Sequence, residues 1–130
     1  MRRLRVLVAE DHEGLRGTLV ELLDLAGFEV AGSAADGADA VALAKQLTPD
    51  AVLMDLSMPV LNGLDATRLL RDALPGTAVV MYSAFDSHHL KQQALAAGAI
   101  AYLIKGCTFE RLRATLEGAV IMASVRFGQG

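Results

Sequence analysis

Short apolar runs alternate with longer stretches of helical spacing along this chain, and that alternation restricts the fold more than any other feature. Residues 4–9, 51–54 and 78–82 are almost unbroken in apolar character. They lack the polar–apolar alternation of a half-exposed strand, so they predict strands covered on both faces, as in a parallel sheet. Residues 28–31 are weaker and predict an edge strand, and residues 99–104 supply a fifth. Between the first two runs, Leu15, Leu19, Leu22 and Leu23 follow i, i+4, i+7, i+8 and predict an amphipathic helix over 13–26, stopped at Gly27. Further helices are expected over 36–46 on Ala38, Val41 and Ala42, over 64–73, over 88–97, and from 108 to about 123 on Leu112, Leu116, Ala119 and Val120. Strand and helix thus repeat five times, which implies a doubly wound α/β domain with helices on both faces of a parallel sheet.

Composition narrows the class. At 130 residues the chain has room for one domain, and 53% hydrophobic against 21% charged residues can build a core. A net charge of -3 argues against direct nucleic-acid binding. The single cysteine, Cys107, cannot form an internal disulfide, so a reducing cytoplasm fits. No stretch approaches the roughly 18 apolar residues of a membrane span.

Ligands of open parallel sheets bind beyond the carboxyl ends of the strands. The polar residues at those ends are Glu10 and Asp11 after the first strand, Asp55 after the third, Ser83 after the fourth and Lys105 after the fifth. The second offers only Ser33. Clustered carboxylates repel, and a hard divalent cation such as Mg²⁺ compensates them with few protein ligands. A carboxylate beside such a cation can attack a phosphoryl donor and become an aspartyl-phosphate. A lysine and a hydroxyl would then neutralise and hold the phosphoryl oxygens. Taken singly, each residue has a plainer reading as a cap, a loop acid or a solvated lysine. Their joint placement on different strand ends carries the chemistry.

The same residues carry a resemblance. The segments 8–12, 53–59 with Asn62 and Gly63, 81–84, and 98–105 occur in order, and over residues 4–123 the chain resembles the receiver domain of two-component response regulators. The resemblance implies a flavodoxin-like (βα)5 fold of strand order 2-1-3-4-5, with a receiver domain at 1–123 and a tail or linker stub at 124–130. It also implies roles. Asp55 matches the phosphoacceptor, Asp11 the direct Mg²⁺ ligand, and Glu10 the second acid of the pair. The main-chain carbonyl of Ser57 matches the third protein ligand, Ser83 the switch hydroxyl, Tyr102 the switch aromatic, and Lys105 the phosphate-pairing lysine. Pro59 and Gly63 match the residues that shape the following loop. Glu10 stands where aspartate is commoner, and Gly106 where many receivers carry a cis proline, so the bond after Lys105 is expected to be trans or strained. Phe85 and Ser57 occupy positions that tune phosphate lifetime in the family.

The implied partners are a sensor histidine kinase and, through the surface of helix 4, strand 5 and helix 5 with Lys91, Tyr102, Arg111 and Arg113, a second copy or an output partner. The segment 98–105 is similar to receivers that precede DNA-binding domains of the NarL type. The chain is then a stand-alone receiver or the receiver of a longer regulator, with DNA contacted only by an output domain. Three other functions stay open: a pseudo-receiver that only docks partners, an aspartyl-phosphate phosphohydrolase, and an FMN binder. The second lacks an acid two residues after Asp55, and the acidic first loop repels the phosphate that the third requires. His12 is expected at a loop or helix start, His88 and His89 on the surface, Cys107 in a structural place, and Met54, Met58 and Met81 in packing.

Overall fold

In the computed structural model, which describes residues 2–126, the five apolar runs form one parallel sheet in the order β2-β1-β3-β4-β5. The strands are β1 (Arg5–Ala9), β2 (Glu29–Ala34), β3 (Ala51–Asp55), β4 (Ala78–Ser83) and β5 (Ala101–Ile104). The helices are α1 (Glu13–Leu25), α2 (Gly37–Leu47), α3 (Gly63–Ala73), α4 (His88–Ala97) and α5 (Phe109–Arg126). This is the flavodoxin-like topology that the resemblance implies.

Strand parity sorts the core into two layers. Leu7 and Ala9 of β1, Val52 and Met54 of β3, and Val79 and Met81 of β4 pack with Ala40, Ala44, Ala66, Leu70 and Ala94 from α2, α3 and α4. Val6, Val8, Leu53, Val80 and Leu103 face the other way, onto Leu19 and Leu23 of α1 and Leu112, Leu116, Ala119 and Ala123 of α5. Both faces of β3 and β4 are therefore buried, which explains their unbroken apolar sequences.

Helix starts are fixed by side-chain caps. Asp36, Asn62 and Ser87 accept from the backbone N–H groups of Asp39, Asp65 and Leu90. Thr108 Oγ1 likewise accepts from Arg111 N at 3.1 Å.

Several boundaries differ from expectation. β2 runs to Ala34 because Gly32 and Ser33 pair with Leu7 and Val8 in spite of their weak apolar signal. A register shift between Val6 and Leu7 accommodates the strand. β5 begins only at Ala101, since Ala99 N–H bonds back to the end of α4 at Ala94 O. On α2 the buried residues are Gly37, Ala40, Val41 and Ala44, while Ala38 and Ala42 are exposed. A run of alternating alanines does not fix the helix phase; the close seat of Gly37 against the Leu61 carbonyl does. α5 continues three residues past Ala123 to Arg126, so Ser124–Arg126 of the expected tail is helical. Residues 127–130 lie outside the described part. No cis peptide bond occurs among the described residues, so the Lys105–Gly106 bond is trans, with Gly106 at φ +100°.

Among the described residues, no helix is long and apolar enough to cross a membrane.

Candidate functional site

The parallel register carries the ends of β1, β3, β4 and β5 to one edge, where Asp55 and Ser83 close their strands and Glu10 and Lys105 directly follow theirs. Glu10, Asp55 and Ser83 are 1%, 3% and 0% exposed, so the sheet end places polar groups where water does not reach them freely. Glu10, Asp11 and Asp55 each bring a carboxylate oxygen into a group spanning no more than 4.8 Å. Lys105 Nζ lies 2.8 Å from Glu10 Oε1 and 3.2 Å from Asp55 Oδ1. It also stands 5.7 Å from the centre of the Tyr82 ring. One ammonium thus pairs with two of the three acids.

Backbone donors help to orient the acids. His12 N–H donates to Glu10 Oε2 at 3.0 Å and Ser57 N–H to Asp55 Oδ1 at 3.3 Å. Glu10 Oε1 is buried and takes no well-aligned hydrogen bond among the described residues; the charge of Lys105 compensates it. A buried carboxylate oxygen in that position is costly.

Electrostatics follow from this crowding. Burial and then the charge of Glu10 push Asp55 up to about 7, against the opposing pull of Lys105. Burial also disfavours ionised Asp11, yet hydrogen bonding with Asp55 and Glu10 prevails and holds its pKa below the usual carboxylate range. Burial works against a charged Lys105, but its pairing with Glu10 and Asp55 outweighs that and raises its pKa.

The raised Asp55 value has a measurable consequence without added metal. Between about pH 4 and 7 the native state holds a proton that the unfolded chain has released, so stability falls as pH rises through that window and levels off above it. Asp55→Asn should remove this slope and gain about 2 kcal/mol at pH 8 relative to pH 5, after a discount for solvent screening. Urea unfolding of both proteins at the two pH values, in chelator, measures it. Parallel pH dependences would show that Asp55 ionises without penalty.

Ser83 and Tyr102 do not enter the acid cluster. They meet at one residue instead: Phe85 N–H donates to Ser83 Oγ at 3.0 Å, and the Tyr102 hydroxyl donates to the Phe85 carbonyl at 2.6 Å. Ser57 contributes its backbone to the site and leaves its side chain exposed. His12 caps α1, with Nδ1 accepting from Leu15 N–H, and His88 and His89 are exposed. Cys107 is half-buried. Met54, Met58 and Met81 lie in the core.

Beside α4, β5 and α5, a cavity of about 320 Å³ is lined by His88, Lys91, Tyr102 and Arg111 among others. Arg113 is absent from its lining and pairs with Glu110 and Glu117 of its own helix.

One feature of the site escaped the sequence reading. Arg16, in the first turn of α1, folds back so that Nη1 reaches the carbonyls of Glu10 at 2.9 Å and Asp11 at 3.5 Å. Its only sequence signal is its spacing from the acidic pair, which no general pattern singles out.

Comparison with known proteins decides what this strand-end arrangement belongs to. The family described as "Response regulator receiver domain" matches residues 6–117. The chain belongs to the response regulator receiver family. Among receiver relatives, the chemotaxis protein CheY of Thermotoga maritima is 37% identical, over 78% of this chain and 84% of its own. The transcriptional regulatory protein PdtaR of Mycobacterium tuberculosis is 40% identical over 89% of this chain and 56% of its own. The uncharacterized transcriptional regulatory protein YxjL of Bacillus subtilis is 37% identical over 95% and 59%. The chain therefore spans little more than half the length of these two regulators. Among solved receivers, the response regulator domain of Thermotoga maritima CheB superposes with TM-score 0.84 at 31% identity, covering 92% of this chain and 97% of that one. The receiver domain of the putative response regulator NarL from Mycobacterium tuberculosis gives 0.79 at 32%, covering 100% and 99%.

Proposed function

We propose that this receiver accepts a phosphoryl group on Asp55 from a histidine kinase or a small phosphodonor, with Mg²⁺ bound at the acidic cluster. The observation that carries the reading is the convergence of three carboxylates, one of them with a buried oxygen lacking an aligned hydrogen bond, at a place where a single lysine pairs with only two of them. Oxygen donors in excess of local positive charge fit a hard divalent cation. Asp11 and Asp55 would hold it directly, with the Ser57 carbonyl as third protein ligand and Glu10 acting alongside. When bound, Mg²⁺ supplies positive charge that offsets both the acids and the phosphoryl oxygens.

The chain's own groups divide the remaining work. An Asp55 carboxylate oxygen forms the new P–O bond as the donor's P–N or P–O bond breaks. Lys105 neutralises phosphoryl oxygens. Ser83 turns from the Phe85 N–H toward the new phosphate, and Tyr102, held to the carbonyl of the same residue, shifts with the loop. The phosphate thereby biases a two-state equilibrium of the β4–α4 loop and of the face made by α4, β5 and α5. That face would meet a second copy or an output partner. The domain, taken as 1–123, catalyses its own phosphorylation and dephosphorylation but turns over no metabolite. It acts in the cytoplasm, and any control of transcription passes through a separate output domain.

Intact-mass spectrometry after incubation with acetyl phosphate tests the reading. A single phosphoryl adduct is expected that requires Mg²⁺ and disappears in Asp55→Asn. A folded protein that acquires no adduct from acetyl phosphate or from histidine-phosphorylated kinase would be a pseudo-receiver instead.

A further inference from the structure

Asp11 is the exposed member of the acidic cluster. Glu10 is fixed on every side: its N–H bonds Ala34 O at 2.9 Å, one carboxylate oxygen takes His12 N–H, and the other faces Lys105. Asp11 is exposed, lies beyond the last residue of β1, and precedes the first residue of α1 by two positions. A carboxylate on such a connection is free to swing unless its backbone is held. The side chain that reaches this backbone is Arg16, whose Nη1 contacts the carbonyls of Glu10 and Asp11, those of the peptides on either side of the Asp11 Cα. Arg16 is itself anchored, since its N–H closes the first turn of α1 on His12 O at 2.9 Å.

We infer that Arg16 is a positioning residue for the cation site: it locks the Glu10–Asp11 backbone so that the Asp11 carboxylate stays aimed at Asp55. The inference rests on the reading of the cluster as an Mg²⁺ site. Two effects of Arg16 oppose each other there. Its positive charge near the site repels a cation, whereas its grip on the loop spares the cation the cost of ordering Asp11. The guanidinium is spent on carbonyl oxygens, in partly solvated surroundings where bare charge repulsion is strongly screened. Ordering wins, and outer-sphere partners of this kind are worth about 10–100-fold in metal affinity. Both contacts come from one nitrogen, so a lysine ammonium is able to replace it.

Calorimetric titration with Mg²⁺ alone tests this on the full chain, with Arg16→Gln, Arg16→Lys and Asp11→Asn compared with the parent. Arg16→Gln should bind about tenfold more weakly, and Arg16→Lys should restore affinity to within about threefold. The metal-free melting temperatures should stay close together, a pattern that a purely structural role would not produce. Unchanged or tighter binding by Arg16→Gln overturns the inference. If Arg16→Gln does not fold, a folded Arg16→Lys that has lost tenfold overturns it equally. Asp11→Asn separates the two readings: if it too leaves Mg²⁺ binding intact, the cation site itself is misassigned, and if it alone abolishes binding, only the role of Arg16 fails.

Discussion

Gly63→Ala is expected to cost at least about 3 kcal/mol of folding stability, enough to lower the melting temperature by roughly ten degrees. A Cβ at this position would lie 2.2 Å from the Asp55 carbonyl oxygen and 2.9 Å from Leu56 Cα. Those are backbone atoms of β3 and its extension, so no side chain can rotate out of the way. Gly63 N–H also donates to Leu56 O at 2.9 Å, which ties the start of α3 to the residue after Asp55. The methyl group would push apart the two segments whose spacing sets the Asp55 backbone. Gly37→Ala should behave alike, because its Cβ would lie 1.8 Å from the Leu61 carbonyl oxygen in the loop between β3 and α3. Gly118→Ala is the control: nothing lies within 4 Å of its Cβ at an exposed position of α5, and it should gain about 0.5–1 kcal/mol from helix propensity. Thermal melts of the three variants give the signs directly. A Gly63→Ala protein as stable as the parent would show that the contact between β3 and α3 is loose.

Lys105→Met should produce a double loss. Among the described residues the lysine is the one cation within ion-pair distance of both Glu10 and Asp55, and removing it strands two buried acids. Breaking a buried pair in this way costs about 3 kcal/mol. The penalty should be full at pH 8 and smaller at pH 5, where Asp55, whose pKa is already pushed up to about 7, takes up a proton and sheds its charge. Millimolar Mg²⁺ should restore part of the stability by binding the native state alone. The phosphorylation rate should nevertheless stay about 100-fold below the parent with Mg²⁺ saturating, since a fixed positive group facing the phosphoryl oxygens is gone. Urea midpoints at the two pH values and the time course of the phosphoryl adduct supply both readouts. Stability and rate both unchanged would mean that the lysine is a bystander at the sheet edge.

The fold was legible because buried parallel strands leave an unmistakable pattern, and 4–9, 51–54 and 78–82 all became strands. The edge strand was less so: Gly32 and Ser33 pair with β1 through backbone groups that any side chain permits. The phase of α2 was unreadable among small residues of similar size. At the candidate site, Glu10, Asp11, Asp55 and Lys105 could be found by asking what ends each strand, because chain direction in a parallel sheet carries those ends to one edge. The link of Ser83 and Tyr102 through the backbone of Phe85 could not be found that way. It depends on loop conformation, as does the reach of Arg16 back over the Glu10–Asp11 junction. Val60, held at φ +70° with an exposed side chain, is likewise invisible in sequence, since nothing about a valine announces a left-handed backbone.

The sorting of the core by strand parity bears on how chains of this kind can change length over evolution. Dropping a single residue from the middle of β3 would exchange the tenants of the two layers from that point onward, sending Leu53-type side chains toward α3 and Met54-type side chains toward α5. It would also rotate Asp55 off the edge where Lys105 waits. Losing two residues would keep the parity but pull the carboxylate about 7 Å back along the strand. Neither kind of deletion leaves a working site, so length variation should accumulate at the opposite edge, in turns such as that around Pro75 and Gly76, where no layer assignment is at stake.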